Sequence, residues 1–284
     1  MKLASFSTAA GPAYGCVVAD GVVSLSAKFG DRAPTLRDLL TEGLTGEAAK
    51  LAQSTKPDFA LSAVSFEPVI PNPDKIICVG LNYRDHVAET GRTVTEKPAL
   101  FARYAGCQVG HLQPMIKPKV SDQFDYEGEL AVIIGKGGRY ITAADALKHV
   151  AGYACYNEGS VRDWQRHTSQ FISGKTFAAT GAFGPWMVTS DEIPDPSKLT
   201  LETRLNGEVV QHTTTDLLIN DVPALIEYIS TILPLTPGDV IVTGTPGGVG
   251  SRRDPPLWMK AGDVCEVEIS GIGILRNPIV AEAR

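Results

Sequence analysis

Short strand-like runs dominate this chain after residue 75, and they constrain its fold more than any other feature. The runs are apolar or alternating segments bounded by Gly, Pro, Asn and Asp, and they lie at residues 75–79, 130–134, 154–157, 185–188, 240–243 and 265–269. An Asn206-Gly207 pair between two further runs predicts a hairpin with a primed turn. Helical segments are fewer and do not alternate regularly with the strands. The pattern therefore predicts a β-rich, mixed α+β fold with a rolled, barrel-like sheet, and not a doubly wound parallel sheet.

The first 65 or so residues have the pattern of a smaller unit. Asp20-Gly21 between two apolar runs predicts a hairpin, and Thr35 is placed to cap a short helix over residues 36–40. The proline-rich segment PVIPNP, residues 68–73, predicts an extended linker. We therefore predict a small N-terminal α+β domain with its linker over residues 1–70, followed by the main domain over residues 71–284.

Two helices are predicted within the main domain from their capping patterns. The segment TAAD at residues 142–145 has the form of a capping box. Asp221 followed by Pro223 predicts the start of a second helix, which extends through Ile232.

Composition excludes several classes of partner. With 43% hydrophobic and 20% charged residues, the chain can bury a sizeable core. A net charge of -6 argues against nucleic acid or an anionic membrane as the main partner, and no segment approaches the length of a membrane span. Polar residues such as Ser5 and Ser7 interrupt what would be the apolar core of a signal peptide. The five cysteines lie far apart in apolar contexts, which indicates buried thiols, and we expect a cytoplasmic protein.

The segment DYEGELAVIIG, residues 125–135, places two acids at the start of an otherwise apolar strand. Because side chains alternate along a strand, Glu127 and Glu129 share one face. Two carboxylates beside a buried run repel each other and lose hydration unless a positive group lies between them, and a hard divalent cation is the simplest such group. An edge strand whose acids both face water accounts for the same pattern, so this segment alone leaves both interpretations open.

A polar segment with acid–base residues follows the first strand of the main domain. In GLNYRDHVAE, residues 80–89, His86 and Glu89 would share one face of a helical turn, so that the carboxylate orients the imidazole and raises its basicity. Such a pair is a general-base dyad. The alternative is a solvated helix start with Asp85 near its N-terminus.

Three further segments contain residue types that active sites use. Glu158, in YNEGSVRDWQ at residues 156–165, can supply a third carboxylate, and three acids with open positions suit a catalytic magnesium ion. Lys175, between apolar residues, can hold an anionic substrate or extend into solvent. The glycine-rich loop TGTPGGVG, residues 243–250, can present backbone N–H groups to an anion, but it lacks the P-loop lysine and is not a dinucleotide fingerprint.

Three blocks in this order resemble the fumarylacetoacetate hydrolase superfamily: GLNYRDHVAE, DYEGELAVIIG and VTGTPGGVG. The resemblance spans residues 74–282, and the N-terminal unit is similar to the smaller leading domain that many members carry. It implies a rolled β-domain, a homodimer, and one magnesium or manganese ion per subunit.

The resemblance also implies roles for individual residues. Glu127 and Glu129 match metal ligands, while Glu158 lies where the family usually has Asp, which implies a ligand that binds from farther back or through water. The other matches are the catalytic residues His86, Glu89 and Lys175, and the substrate-binding residues Arg103, Tyr104, Gln165 and Thr245.

The activity that the resemblance implies is C–C bond hydrolysis of an acylpyruvate or other β-diketo acid, of the fumarylacetoacetate or fumarylpyruvate type, as in the catabolism of aromatic compounds. His86, oriented by Glu89, would activate a water, and Lys175 and the metal would stabilise the enolate that leaves. Oxaloacetate decarboxylation and the isomerisation or hydration of a dienoic 2-oxo acid use the same metal-stabilised enolate, so they stay open. A non-catalytic, metal-dependent dicarboxylate-binding protein is the alternative outside enzymes; loss of the dyad or of Lys175 would have favoured it, and both are present.

Overall fold

Strands predominate over helices in the computed structural model of the protein, which describes residues 1–19 and 21–283. In chain order the strands are β1 (Lys2–Thr8), β2 (Gly11–Val18), β3 (Gly21–Ser24), β4 (Phe59–Ala60), β5 (Ser65–Phe66), β6 (Ile76–Gly80), β7 (Ala99–Arg103), β8 (Gln108–Val109), β9 (Met115–Lys117), β10 (Phe124–Asp125), β11 (Gly128–Ile134), β12 (Val150–Glu158), β13 (Ser160–Val161), β14 (Gly181–Thr189), β15 (Thr200–Leu205), β16 (Glu208–Thr214), β17 (Val240–Val242), β18 (Val264–Ile269) and β19 (Gly273–Ala281). The helices are α1 (Ser26–Phe29), α2 (Leu36–Thr41), α3 (Thr45–Ser54), α4 (Arg84–Thr90), α5 (Arg162–Gln165), α6 (Ile172–Lys175) and α7 (Val222–Ile232). The prediction of a β-rich, mixed α+β fold is confirmed.

The largest sheet has the strand order β4-β3-β2-β1-β14-β12-β11-β17-β6-β7, with β5 paired to β1 and β8 to β14. Across the described residues it runs from one edge to another and does not close into a barrel. Strand β11 lies inside it, between β12 and β17. Its even-numbered apolar residues, such as Leu130 and Val132, pack into one hydrophobic cluster, and Ala131 and Ile133 pack into another. Both faces of β11 are therefore buried, which explains why its sequence is continuously apolar from Leu130 to Ile134.

A second sheet, with the order β16-β15-β18-β19-β9, lies against the first. The β15–β16 hairpin turns at Asn206 and Gly207, which have φ of 53° and 85°, so the predicted primed turn is confirmed. In β18, Cys265, Val267 and Ile269 are buried while the intervening glutamates face outward. This alternation shows that one face of the second sheet packs on the core and the other faces water.

The N-terminal strands continue the large sheet, because β1 pairs antiparallel with β14 through Lys2 and Leu3. The predicted helix after Thr35 is confirmed as α2: the Thr35 hydroxyl accepts from the Asp38 amide, and the Asp38 carboxylate accepts from the Thr35 amide. Strands β2 and β3 pair antiparallel as the hairpin pattern predicts, although Asp20 itself lies outside the described residues.

The proline-rich segment at residues 68–73 is not a free linker. Val69 and Ile70 are buried in the core, and the Ser5 hydroxyl donates to the Val69 carbonyl at 2.8 Å. The prolines keep the segment extended, but its two central apolar side chains anchor it. The division into residues 1–70 and 71–284 stays a prediction.

The two helices predicted in the main domain have different outcomes. Helix α7 begins after Asp221, whose carboxylate accepts from the Ala224 amide at 2.9 Å, and it ends at Ile232 as predicted. The helix predicted from residues 142–145 is wrong: the Thr142 hydroxyl bonds the Asp145 carboxylate, and only a four-residue 3₁₀ turn follows. Strand β12 begins at Val150, so the chain has no room to extend a helix there.

Two negative expectations concern the cysteines and the membrane. All five cysteines are buried and unpaired, which agrees with the prediction of buried thiols. In the described part of the chain, none of the helices combines the length and the apolar character that crossing a membrane requires.

Candidate metal centre and active site

The predicted site segments lie together at one end of the strands of the large sheet. Strands β6, β12 and β17 end there and β11 begins there, because β11 is antiparallel to both β12 and β17, and β17 is parallel to β6. The polar segments that follow β6, β12 and β17 therefore converge around the start of β11. They enclose a cavity of about 510 Å³.

Three carboxylates form the inner wall of this cavity. Glu127 directly precedes β11, Glu129 is the second residue of β11, and Glu158 is the last residue of β12. One oxygen of each lies within 4.8 Å of the others, and the side chains are almost fully buried, with the three residues exposed by 3%, 1% and 2%. We call these residues the acid triad.

Two cations neutralise part of the acid triad. The Lys175 ammonium contacts the Glu127 carboxylate and lies 2.9 Å from Glu158 Oε2. Arg162 donates through Nη2 to Glu127 Oε1 at 2.6 Å and through Nε to Asp125 Oδ2 at 2.7 Å. Burial by itself would raise the pKa of Glu127, but the charges of Arg162 and Lys175 outweigh burial and hold that pKa below its usual range.

Glu129 has no such cation at contact distance within the described residues. Burial, followed by the negative charges of Glu158 and Glu127, raises the pKa of Glu129 well above its usual range. Glu158 Oε1 is buried and has no hydrogen-bond partner among the described residues. An uncompensated carboxylate and an unpartnered carboxylate oxygen, side by side, fit a bound cation, and three carboxylate oxygens are the donors that Mg²⁺ and Mn²⁺ prefer.

Cation binding to this site is expected to release a proton. The raised pKa of Glu129 means that the metal-free carboxyl stays protonated to a higher pH than an exposed glutamate, whereas a cation binds the ionised form. Apparent affinity for Mg²⁺ should therefore rise with pH up to the folded-state pKa of Glu129. Because the pKa of Glu129 is higher in the folded protein than in the unfolded chain, its protonated carboxyl stabilises the metal-free fold at low pH. This contribution is lost as pH rises through the folded-state pKa.

Titration calorimetry in two buffers of different protonation enthalpy measures the number of protons released per Mg²⁺ bound. Glu129→Gln is the control variant, because glutamine has no proton to release. A proton number of zero across the titration range in the unsubstituted protein would contradict the prediction.

Gly128 separates the two glutamates because no side chain fits there. A Cβ at this position would lie 2.0 Å from Thr203 Oγ1 and 3.3 Å from Leu201 Cδ2, both on strand β15 of the second sheet. The close approach of the two sheets at Gly128 therefore fixes the positions from which Glu127 and Glu129 project.

Gly128→Ala is expected to destabilise the fold by about 1–3 kcal/mol, because the added methyl group forces the two sheets apart. It should also weaken Mg²⁺ binding, since the acids on either side move with the strand. Urea unfolding and calorimetric titration measure the two effects. Gly46→Ala is the matched control, since its Cβ would meet nothing within 4 Å; equal behaviour of the two variants would refute the packing argument.

The predicted base dyad is formed on α4. His86 Nδ1 lies 2.7 Å from Glu89 Oε1, and His86 is buried and lines the cavity. With Nδ1–H donating to the carboxylate, Nε2 carries the free lone pair. The arrangement can accept a proton from a molecule bound in the cavity.

The glycine-rich loop at residues 243–250 binds anions, but these anions are the protein's own carboxylates. Backbone amides of the loop donate to Glu129 at 2.5 Å from Gly244, to Asp85 at 3.1 Å from Gly247, to Glu89 at 2.8 Å from Gly248, and to Asp125 at 2.8 Å from Gly250. We call this segment the amide loop. It fixes one triad acid and the carboxylate that orients His86.

Gln165 and Thr245, predicted to bind substrate, both line the cavity. Gln165 Oε1 accepts from Arg162 at 2.9 Å. The Thr245 hydroxyl donates to the Gly128 carbonyl at 3.0 Å and accepts from Gln211 at 2.9 Å. Gln165 can still donate through its amide nitrogen, whereas the hydroxyl hydrogen of Thr245 is already committed.

Arg103 and Tyr104, also predicted to bind substrate, do not line the cavity. Arg103 is buried behind the acid triad, where its guanidinium donates to the Gly159 carbonyl at 3.1 Å and lies 3.9 Å from Glu158 Oε1. Tyr104 is 59% exposed. Successive side chains of an extended segment point in opposite directions, so both residues cannot face one site. The position of Arg103 suits support of Glu158 and not contact with a substrate.

Asp125 and Gln211 belong to the site but were not predicted. Asp125 anchors Arg162, and Gln211 bridges the Gly128 amide and the Thr245 hydroxyl. The sequence does indicate Asp125: this residue lies two positions before Glu127, and side chains two positions apart along a strand share one face. Gln211 comes from strand β16, distant in sequence, and no local pattern marks it.

Comparisons with known proteins agree with this geometry. Residues 75–280 match the family described as fumarylacetoacetate (FAA) hydrolase C-terminal. Oxaloacetate tautomerase FAHD2A, mitochondrial, of Bos taurus is 39% identical over 288 aligned residues, which cover 99% of this chain and 92% of the relative.

Two solved structures share the fold along the whole chain. Fumarylacetoacetate hydrolase from Exiguobacterium antarcticum is 34% identical with a TM-score of 0.84, covering 99% of this chain and 100% of that one. Maleylpyruvate hydrolase from Sphingobium sp. SYK-6, in complex with manganese (II) ion and pyruvate, is 29% identical with a TM-score of 0.83, and each chain is covered completely. Together with the matching family over residues 75–280, these similarities establish that the chain belongs to the fumarylacetoacetate hydrolase family of enzymes.

Proposed function

We propose that this protein is a divalent-cation-dependent enzyme that interconverts the keto and enol forms of a short 2-oxo acid of the oxaloacetate type. The observation that carries the proposal is one cavity that combines the acid triad with the His86–Glu89 dyad and the buried ammonium of Lys175. The tautomerase name of the relative that is 39% identical over nearly the whole chain supports this reaction class.

The residues divide the chemistry between binding and proton transfer. A divalent cation held by Glu127, Glu129 and Glu158 would bind the carboxylate and 2-oxo oxygens of the substrate and lower the energy of its enolate. His86 Nε2, oriented by the bond from Nδ1 to Glu89, would take the proton from C3 of the keto form and deliver it to the 2-oxo oxygen to give the enol. The reverse transfer, from the enol oxygen to C3, gives the keto form. Lys175, at the edge of the acid triad, stabilises the negative charge that develops on the 2-oxo oxygen.

Hydrolysis of the C–C bond of an acylpyruvate is the second candidate reaction. The His86–Glu89 dyad favours it, because the same base can take a proton from water so that the hydroxide attacks the distal carbonyl. The C–C bond then breaks to give a carboxylic acid and the enolate of pyruvate, which is protonated at C3. The likeness to maleylpyruvate hydrolase supports this candidate.

Magnesium or manganese is the cation that we propose, because the triad offers oxygen donors alone. The described geometry suits both ions, and we propose one per subunit of a homodimer.

A substrate panel separates the candidate reactions. Enol-oxaloacetate, fumarylpyruvate and acetylpyruvate are each incubated with Mg²⁺-loaded protein and with protein stripped by EDTA. Ultraviolet absorbance follows loss of the enol, NMR identifies acid products, and released carbon dioxide reports decarboxylation. We expect Mg²⁺-dependent ketonisation of oxaloacetate without carbon dioxide. Release of acid from an acylpyruvate that is faster than ketonisation of oxaloacetate would favour the hydrolase. Full activity in EDTA would contradict both proposals.

A further inference from the structure

Three arginines at the mouth of the cavity have no role in the chemistry described above. Arg92 is the second residue after the end of α4, Arg166 directly follows α5, and Arg252 ends the 3₁₀ turn Gly250–Arg252, so they come from three separate segments. All three side chains line the cavity and belong to exposed residues.

These mouth arginines differ in pairing from the cations deeper in the cavity. Arg162 and Lys175 are each held by two carboxylates. In contrast, within residues 1–19 and 21–283, the arginine side chains that form ion pairs are those of Arg32, Arg103, Arg162, Arg204 and Arg276. The mouth arginines therefore have no acid at ion-pair distance in the part of the chain that the structure describes.

Packing against an aromatic ring holds the charge of Arg92 at the mouth of the cavity. The Arg92 guanidinium lies over the Phe171 ring, 5.7 Å from its centroid. Phe171 in turn packs edge-on against Phe101, with ring centroids 5.6 Å apart. The guanidinium is therefore supported by aromatic side chains of the cavity wall and is not simply extended into solvent.

The charges are thus divided along the depth of the cavity. The inner end has the three carboxylates, partly neutralised by Lys175 and Arg162, and suits a cation with the 2-oxo acid end of a substrate. The mouth, among the described residues, has three cations and no acid. A ligand whose far end is also negative complements this division, because planar guanidinium groups bind carboxylates in a forked geometry. A volume of about 510 Å³ leaves room for a substrate that reaches from one end to the other.

We infer that Arg92, Arg166 and Arg252 form an anion subsite that binds the distal carboxylate of a 2-oxo dicarboxylic acid. The inference rests on the proposed function, since the first carboxylate must be held at the acid triad for the second to reach the mouth. It assigns substrate selection to the mouth arginines and proton transfer to the dyad.

Two ligands of equal chain length test the subsite. The anion of 2-oxoglutarate and that of 2-oxopentanoate both have five carbons and a 2-oxo acid end, and they differ only in whether the far end is a carboxylate or a methyl group. Their dissociation constants are measured by titration calorimetry on Mg²⁺-loaded protein, for the unsubstituted chain and for the double variant R166Q/R252Q. The control R37Q/R139Q removes the same charge at positions that do not line the cavity.

We expect the unsubstituted protein to bind 2-oxoglutarate about tenfold more tightly than 2-oxopentanoate, a factor that two partly screened charge contacts can supply. R166Q/R252Q should remove most of this preference by weakening 2-oxoglutarate binding far more than 2-oxopentanoate binding, and it should keep the thermal unfolding midpoint. R37Q/R139Q should retain the preference.

Three results would overturn the subsite while leaving the proposed function intact, provided that binding depends on Mg²⁺. They are equal affinity of the unsubstituted protein for the two ligands, an undiminished preference in R166Q/R252Q, and an equal loss in R37Q/R139Q. Absence of Mg²⁺-dependent binding for both ligands would instead overturn the proposed function, and this inference with it.

Discussion

His86→Asn is expected to lower turnover by a factor of about 10²–10⁴ while leaving Mg²⁺ affinity unchanged. The substitution removes the Nε2 lone pair that faces the cavity, and it leaves every carboxylate of the acid triad in place. Glu89→Gln should give a smaller loss, because it weakens the contact that orients His86 without removing the base.

The measurement compares the turnover of the best substrate from the panel with the Mg²⁺ dissociation constant from calorimetry. His212→Asn is the matched control, since His212 is exposed on strand β16 and does not line the cavity. If His86→Asn weakened Mg²⁺ binding as much as it slowed turnover, the residue would be a structural support and not the base.

Lys175→Met is expected to destabilise the metal-free protein by about 3–5 kcal/mol, because it leaves two buried carboxylates without their shared cation. The ammonium contacts Glu127 and Glu158, and all three side chains are buried. Burial lowers the pKa of Lys175, but the two carboxylates outweigh burial and raise it, so the ammonium stays charged at neutral pH. Added Mg²⁺ should restore part of the lost stability, and turnover should fall with the loss of a charge beside the enolate.

Urea unfolding in EDTA and in Mg²⁺ measures the two parts of this effect. Lys148→Met is the matched control: Lys148 forms an exposed ion pair with Asp145 at 2.6 Å, and its loss should have no measurable effect on stability. Equal unfolding of the Lys175 and Lys148 variants in EDTA would contradict the assignment of Lys175 as the internal counter-ion of the acid triad.

Much of the fold follows from local patterns in the sequence. The continuous apolar run of β11, the alternation in β18 and the Asn206-Gly207 turn each depend on neighbouring residues, so a short stretch of sequence contains the information. The TAAD segment shows the limit of such reasoning, since its capping pattern is satisfied by a turn and the helix is prevented by the strand that starts at Val150.

Within the site, residues that were recognised by a motif lie together in the structure, whereas the placement of others depends on the tertiary environment. Glu127, Glu129 and Glu158 were predicted as one cluster, and the structure brings them within ligand distance of one another. Arg103 and Tyr104 are adjacent in sequence, yet one lies behind the acid triad and the other faces solvent. Alternation along an extended segment separates the two side chains, but which of them is buried depends on which side of the segment faces the core, and this was not evident from the residues alone.

The amide loop has a consequence for how this enzyme can change. Its backbone holds Glu129, a triad acid, and Glu89, the partner of the base, within five residues, from Gly244 to Gly248. Since both bonds come from main-chain N–H groups, side-chain replacement in this segment cannot adjust one without risk to the other. Cation affinity and the orientation of the base therefore depend on the same stretch of backbone, and substitutions that shift it should alter both properties together.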